Sequence, residues 1–431
     1  MDADAIVECG QHSYLSGVDR DWSGVIVSDP FVVPYRPVGS LFGQEELDAV
    51  ARVLASGQTL SCGQERDAFE QEFASYTGAP HAISVTNCTV ALELASYLAG
   101  VREGCEVIAT TQTYQATVAH LLGRGITVRF ADIDPKTLNV DPESVSRLVS
   151  ARTNAIYLVH HGGLSADMDA VLDVAKDRGI RVIEDCAHSL GGTYHGRHPG
   201  TLGDIGCFSF QSYKNVSTLG EGGMVTLNDD ELADVLRRVI AIEPDADFAG
   251  RPSRSIGGHV YPDRRLDWHA KNSFDQDCLA LRHGGTNSTL AEPAAAVGRV
   301  QLGRIEEFLA RRRRIAEWLD AQFRDVARLR LPTVAEGVSS AHHLYTCFVR
   351  PGPGRTRDEI ATELLDRGIQ VQLRYFPLHM LPEWRREGHE HGECPVAERV
   401  WFEELLQLPI YPQMQDWQVE YLASAVRDAL E

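Results

Sequence analysis

RVIEDCAHSLGG (181–192) and GDIGCFSFQSYKNVSTLGEGGMVTLND (203–229) each join a short apolar run to polar residues. In the first, the run closes on the carboxylates Glu184 and Asp185. In the second, CFSF (207–210) precedes Lys214, and a glycine-rich turn follows it. Upstream lie four similar runs, AISV (82–85), EVIA (106–109), VRF (128–130) and AIYLV (155–159), with helical patterns such as VALELASYLAG and DAVLDVAKDRG between them. Strands that alternate with helices predict a mostly parallel sheet covered on both faces, an α/β fold. Ligands in such folds bind at the carboxyl ends of the strands. Polar residues just past each run are therefore the candidate chemistry.

Outside this region the chain reads as three further pieces. Residues 1–35 are an N-terminal extension without clear periodicity, and order begins at GQEELDAVARVLASG (43–57), where Leu47, Val50, Ala51 and Leu54 mark one helical face and Gly57 a stop. The large domain is expected over 36–285. Its last part, 240–285, is polar, rich in Gly, Pro, Arg and Asp, and too long for an ordinary connection. It carries Arg251, Arg254, His259, Arg264 and Arg265, donors suited to hydroxyls or a phosphate at the mouth of a site. Residues 286–431 read as a long linking helix, with Leu302, Ile305, Leu309 and Leu319 on its apolar side, and a smaller C-terminal α/β domain. The run Arg311–Arg314 on that helix reads as a solvated, salt-bridged face.

A net charge of −20 disfavours binding to nucleic acid or an anionic membrane. No stretch reads as a secretory signal or as a membrane span. The nine cysteines are scattered, with no CxxC pair. That suits reduced thiols in the cytoplasm and predicts no metal site.

Four features together suit pyridoxal phosphate (PLP), which needs a lysine, an acid for the ring nitrogen, a phosphate cradle and a flat group against the ring. TNCTVALELA (86–95) turns from strand to helix, so open amides near Cys88, with the Thr89 hydroxyl, can hold a phosphate. Tyr114 follows the strand EVIA and can stack on a ring. Asp185 can hold a pyridinium proton, with Glu184 the competing carboxylate, and His188 lies within reach of the ring or its phenolic oxygen. Lys214 is the candidate amine, with Ser209 and Asn215 as polar neighbours.

These motifs resemble, in order, those of the DegT/StrS family of PLP-dependent sugar aminotransferases of fold type I. The resemblance runs from Gly43 to Pro412 and is most specific in EDCAHSLGG, GDIGCFSF and the lysine followed by GEGGMV. SGQTLSCG, FEQEFASYTG, VDPESV, SADMD, AAAVGRVQL, RYFPLH and LPIYP support it. It implies a large PLP-binding domain, a homodimer with shared active sites, and transfer of an amino group from glutamate or glutamine to a keto-sugar or keto-cyclitol, in amino-sugar or aminoglycoside-like biosynthesis. It further implies that Lys214 is the Schiff-base lysine and shuttles the proton, that Asp185 pairs with the ring nitrogen and that Tyr114 stacks. Cys88, Thr89 and Ser209 then hold the phosphate, and Asn287 reaches it from the partner chain. The sequence departs from the family at Cys88, at His188 where Gln is common, at Thr289 where a basic residue is common, at Arg374 where His is common, and in the longer 240–285 connection. A side branch of dehydratases carries His at the lysine position. Lys214 argues against that branch and against a cofactor-free sensor.

Overall fold

The computed structural model describes residues 31–36, 38–241, 262–266, 268–269 and 285–430. Its centre is a seven-stranded sheet. The strands are β1 (His81–Val85), β2 (Glu106–Thr110), β3 (Thr127–Ala131), β4 (Thr153–Val159), β5 (Arg181–Asp185), β6 (Ile205–Ser209) and β7 (Gly223–Leu227). Their order is β1-β7-β6-β5-β4-β2-β3. From β6 to β3 every neighbour is parallel, whereas β7 runs antiparallel to both β1 and β6. The six runs read from the sequence are all strands. β7, inside GEGGMVTL, is an additional one.

The alternation of β6 shows how the sheet makes a site. Phe208 and Phe210 are buried and pack with Phe69 and Phe73, ring centroids 4.9–5.6 Å apart. Ser209 between them points to the other face. Truncating one such buried ring costs about 3–5 kcal/mol, so the strand that leads into Lys214 is firmly anchored.

Helix α1 (Gln44–Ala55) forms where expected, and Gly57 follows its end with φ of 67°. Its buried face is not the predicted one. Leu47 and Leu54 are exposed, and Glu46, Ala49 and Val53 are buried. Polar bonding decides this: the Glu46 carboxylate accepts hydrogen bonds from Gln301 and Arg304, and from the Gly43 amide. Helix α2 (Gln64–Thr77) and α3 (Cys88–Leu98) flank β1.

The expected single linking helix is two, α4 (Glu292–Gly303) and α5 (Ile305–Phe323), divided at Arg304. Leu302, Ile305, Leu309 and Leu319 are buried, as their spacing predicts. The basic run is not uniformly solvated, because Arg312 is 1% exposed. Its guanidinium donates to the carbonyls of Gly39, His342, His343 and Ile410.

Beyond α5, strands β8 (Leu329–Arg330), β9 (Tyr345–Val349) and β10 (Leu405–Leu408) form an antiparallel sheet in the order β10-β9-β8. Helices Arg357–Asp366 and Asp416–Leu430 share its apolar cluster. Val33 joins the same cluster and pairs with Ile369, so structure begins ahead of Gly43. Arg251, Arg254 and His259 lie outside the described residues. Arg264 and Arg265 are exposed, and Arg265 is paired with Asp263. No helix of the described residues is long and apolar enough to cross a membrane.

Candidate active site

A cavity of about 600 Å³ opens at the carboxyl ends of the parallel strands. Cys88, Thr89, Tyr114, Asp185, His188, Ser209 and Lys214 all line it, so seven of the eight residues named from the sequence converge. Asn287 does not. It is exposed, in a segment whose neighbours pair with the end of β1 and with Val239 and Ile240. Thr289 is half-buried and bridges Val85.

The floor follows from strand pleat. Glu184 and Asp185 are adjacent on β5 and point to opposite faces. Glu184 accepts amide hydrogen bonds from Gly200, Leu202 and Gly203, and one from His160 Nε2 at 2.9 Å. It is committed to structure, which leaves Asp185 as the buried carboxylate of the cavity; Glu221 lines it nearer to solvent. Asp185 is 4% exposed and accepts from the Ala187 amide at 3.0 Å and the Thr117 hydroxyl at 2.8 Å. Burial raises its pKa, and these bonds and the Lys214 charge oppose the rise. A buried carboxylate whose hydrogen bonds stabilise the charged form against the cost of burial suits a protonated ring nitrogen.

Lys214 is the lysine of the cavity. The sequence has four lysines; Lys136 and Lys176 are exposed, and Lys271 lies outside the described residues. Burial pushes the Lys214 amine down to about 8, against the pull of Asp185. More of it is therefore neutral and nucleophilic near physiological pH than of a surface lysine. The loop that carries it packs tightly: a Cβ on Gly39 would lie 2.1 Å from the Tyr213 carbonyl oxygen and 2.5 Å from that of Lys214.

The anion cradle is the N-terminus of α3. Asn87 caps it by accepting from the Val90 amide at 2.9 Å, while the helix leaves its first amides, at Cys88 and Thr89, without intrahelical partners. Strand β7 approaches this turn so closely that a Cβ on Gly223 would lie 2.5 Å from the Asn87 carbonyl carbon. Cys88 is buried, and burial holds its thiol well above the ordinary range, so it is an uncharged neighbour of the cradle. Cradle, carboxylate, amine and the Tyr114 ring fit the demands of pyridoxal phosphate.

Sequence reading singles out Arg374 only as a departure from the family pattern and misses Tyr375, His343 and Thr117 as residues of the site. Tyr375 and Arg374 line the cavity, brought there by RYFPLH. That segment is tied down by Gln407, which bonds both the amide and the carbonyl of Arg374, and by His379, which bonds Thr111 and Glu398. His343 also lines it, its ring stacked on His188 at 4.4 Å. Asn215 faces away from the cavity, donating to the Ala341 carbonyl and accepting from His343. Thr117, three residues after Tyr114, is the one whose place beside a stacking aromatic could have drawn attention.

Comparison with known proteins agrees with this geometry. Residues 41–427 match the DegT/DnrJ/EryC1/StrS aminotransferase family. The chain is 37% identical to spore coat polysaccharide biosynthesis protein SpsC of Bacillus subtilis, over 91% of this chain and 96% of that one. It is 32% identical to dTDP-4-dehydro-2,3,6-trideoxy-D-glucose 4-aminotransferase of Saccharopolyspora spinosa, over 91% and 95%. Among solved structures, the aminotransferase TlmJ from Streptoalloteichus hindustanus superposes with a TM-score of 0.79 at 30% identity, covering 92% of this chain and 99% of that one. DesV from S. venezuelae gives 0.76 at 31%, covering 90% and 95%.

Proposed function

The chain belongs to the DegT/DnrJ/EryC1/StrS aminotransferase family and is a pyridoxal-phosphate-dependent aminotransferase of fold type I, and we propose that it moves an amino group from L-glutamate or L-glutamine to the ring ketone of a keto-sugar or keto-cyclitol. The observation that carries this reading is the pairing, in one cavity, of a lysine with a depressed pKa and a buried, hydrogen-bonded aspartate. Relatives named as transaminases of dTDP-sugars support a sugar as acceptor.

Pyridoxal phosphate, when bound, supplies an electron sink for ionising a C–H bond beside nitrogen. The chain does the rest. Lys214 would hold the cofactor, and its amine would carry the proton to and from the reacting carbon. Asp185 would face the ring nitrogen and favour its protonated form, and the bonds from Thr117 and the Ala187 amide favour the charged form of Asp185. The Cys88 and Thr89 amides, with the Thr89 and Ser209 hydroxyls, take the phosphate. Tyr114 would cover the ring, and His188 would stand beside it. Arg374 lines the cavity, bonds the Tyr375 hydroxyl and pairs with no carboxylate among the described residues, so it can take the carboxylate of the amino donor. Asn287 of the partner subunit completes the phosphate site in a homodimer. The setting is cytoplasmic amino-sugar or aminoglycoside-type biosynthesis.

The test is a panel of nucleotide-linked keto-sugars and free keto-cyclitols, each offered with glutamate and with glutamine, with the aminated product read by mass. Amine transfer to a ring ketone supports the reading. Consumption of a keto-sugar without any amino donor would show a lyase instead.

A further inference from the structure

His188 lines the cavity beside Lys214, and its two ring nitrogens are already engaged within the chain. The Gly162 amide donates to Nδ1 at 3.3 Å, so Nδ1 carries no proton. Burial and the nearby Lys214 charge hold the imidazole well below its ordinary pKa, so it is neutral. A neutral imidazole without a proton on Nδ1 carries it on Nε2. Nε2 lies 3.2 Å from the Tyr375 hydroxyl, which therefore accepts this bond.

The consequence falls on Tyr375. With its oxygen accepting from His188 and from the Arg374 side chain, its own proton is left for another acceptor, and none is bonded to it among the described residues. The ring is held on three sides: against His188 at 5.8 Å and 12°, against His161 at 6.2 Å, and against Tyr114 at 5.9 Å. His188 is fixed in turn by the stacked His343, whose Nδ1 donates to Asn215 at 3.3 Å. Burial pushes the Tyr375 phenol up to about 12, against the pull of the Arg374 guanidinium. It stays protonated wherever the enzyme works, which makes it a neutral donor beside a cationic one.

We propose that His188 is a positioning residue that fixes the Tyr375 hydroxyl as a hydrogen-bond donor into the cavity, and that Tyr375 uses it to read a neutral ring oxygen of the acceptor. A neutral phenol suits a sugar hydroxyl or carbonyl, whereas an amino-acid carboxylate is better met by Arg374. The acceptor role rests on the aminotransferase reading above. The hydrogen-bond arrangement does not.

Two measurements test it on the holoenzyme. Nitrogen NMR of imidazole-labelled protein, with the His188 signal identified by its loss in His188→Gln, reports the tautomer. The expected result is an unprotonated Nδ1 and a protonated Nε2, with the Nε2 signal shifting in Tyr375→Phe. A protonated Nδ1, or an imidazolium at neutral pH, overturns the arrangement. The second measurement splits the two half-reactions. Tyr375→Phe should lower kcat/KM for the acceptor by roughly tenfold, as loss of one hydrogen bond does, and change the donor half-reaction far less. His188→Leu should lose as much, and the double variant no more than either single one. His188→Gln can accept from Gly162 and donate to Tyr375, so it should recover most of the loss. An acceptor kcat/KM unchanged in Tyr375→Phe, or both half-reactions falling together, overturns the specificity role. Wild-type protein that aminates no ring ketone sinks the function and the acceptor role together, while the tautomer measurement still decides the bond pattern.

Discussion

Lys214 and Arg312 are both cations enclosed by protein, and what surrounds them gives them opposite uses. Burial pushes Lys214 down to about 8 and Arg312 down to about 9. Lys214 opens on a cavity, with Asp185 and the cradle of α3 beside it. Arg312 borders only a small cavity of about 30 Å³; its two terminal nitrogens are spent on carbonyls of Gly39, His342, His343 and Ile410, which come from three separate parts of the chain. One of those carbonyls, Gly39, belongs to the residue packed against the backbone of Lys214. The arginine is thus the bracket that holds the lysine's surroundings. A buried charge is a reagent when space is left in front of it and a fastener when acceptors fill that space.

Removing each cation should separate the two uses. Lys214→Ala is expected to cut amino transfer roughly a thousandfold or more, while in the cofactor-free protein its denaturation midpoint stays at or above that of the wild type. A stability loss as large as the activity loss would break the comparison. Arg312→Met should do the reverse, costing about 3 kcal/mol because buried carbonyls lose their donor. Urea denaturation measures it, and whatever remains folded should still bind cofactor covalently. Asp185→Asn lies between. It should keep its fold and its cofactor yet lose roughly a hundredfold in turnover, the scale of one misplaced charge in an active site. Normal turnover would return the role to another group, Glu184 being excluded by its three amide donors.

The smallest effect is a pH slope. The pKa of Lys214 is lowered in the fold, so the folded state disfavours its charged form. That cost is present below about pH 8 and fades as pH rises toward the ordinary lysine value of 10.5. In the cofactor-free protein, Lys214→Met should therefore be more stable than wild type at neutral pH, with the gap closing between pH 8 and 10.5. A gap constant over that window would mean that Lys214 is an ordinary solvated lysine.

The same contrast explains what the sequence could and could not reveal. Lys214, Asp185, Tyr114 and the α3 cradle are legible because each follows a strand that its own apolar run announces. The burial of Arg312 is illegible, because its acceptors lie far away along the chain, and a run of four arginines ordinarily faces water. The α1 face is misread for a related reason: Leu47 and Leu54 have helical spacing, but Glu46 is drawn inward by Gln301 and Arg304 from a distant helix. Tyr375 and His343 reach the cavity from the C-terminal third of the chain, where no local pattern points toward β5. Strand β7 hides behind the glycine pair that lets it pass close to Asn87.

The most direct test of the account is borohydride reduction of the cofactor-loaded protein followed by peptide mapping. With only four lysines in the chain, the answer is discrete. The cofactor adduct should map to the peptide containing Lys214 and disappear in Lys214→Ala. An adduct on Lys136, Lys176 or Lys271 would contradict the account.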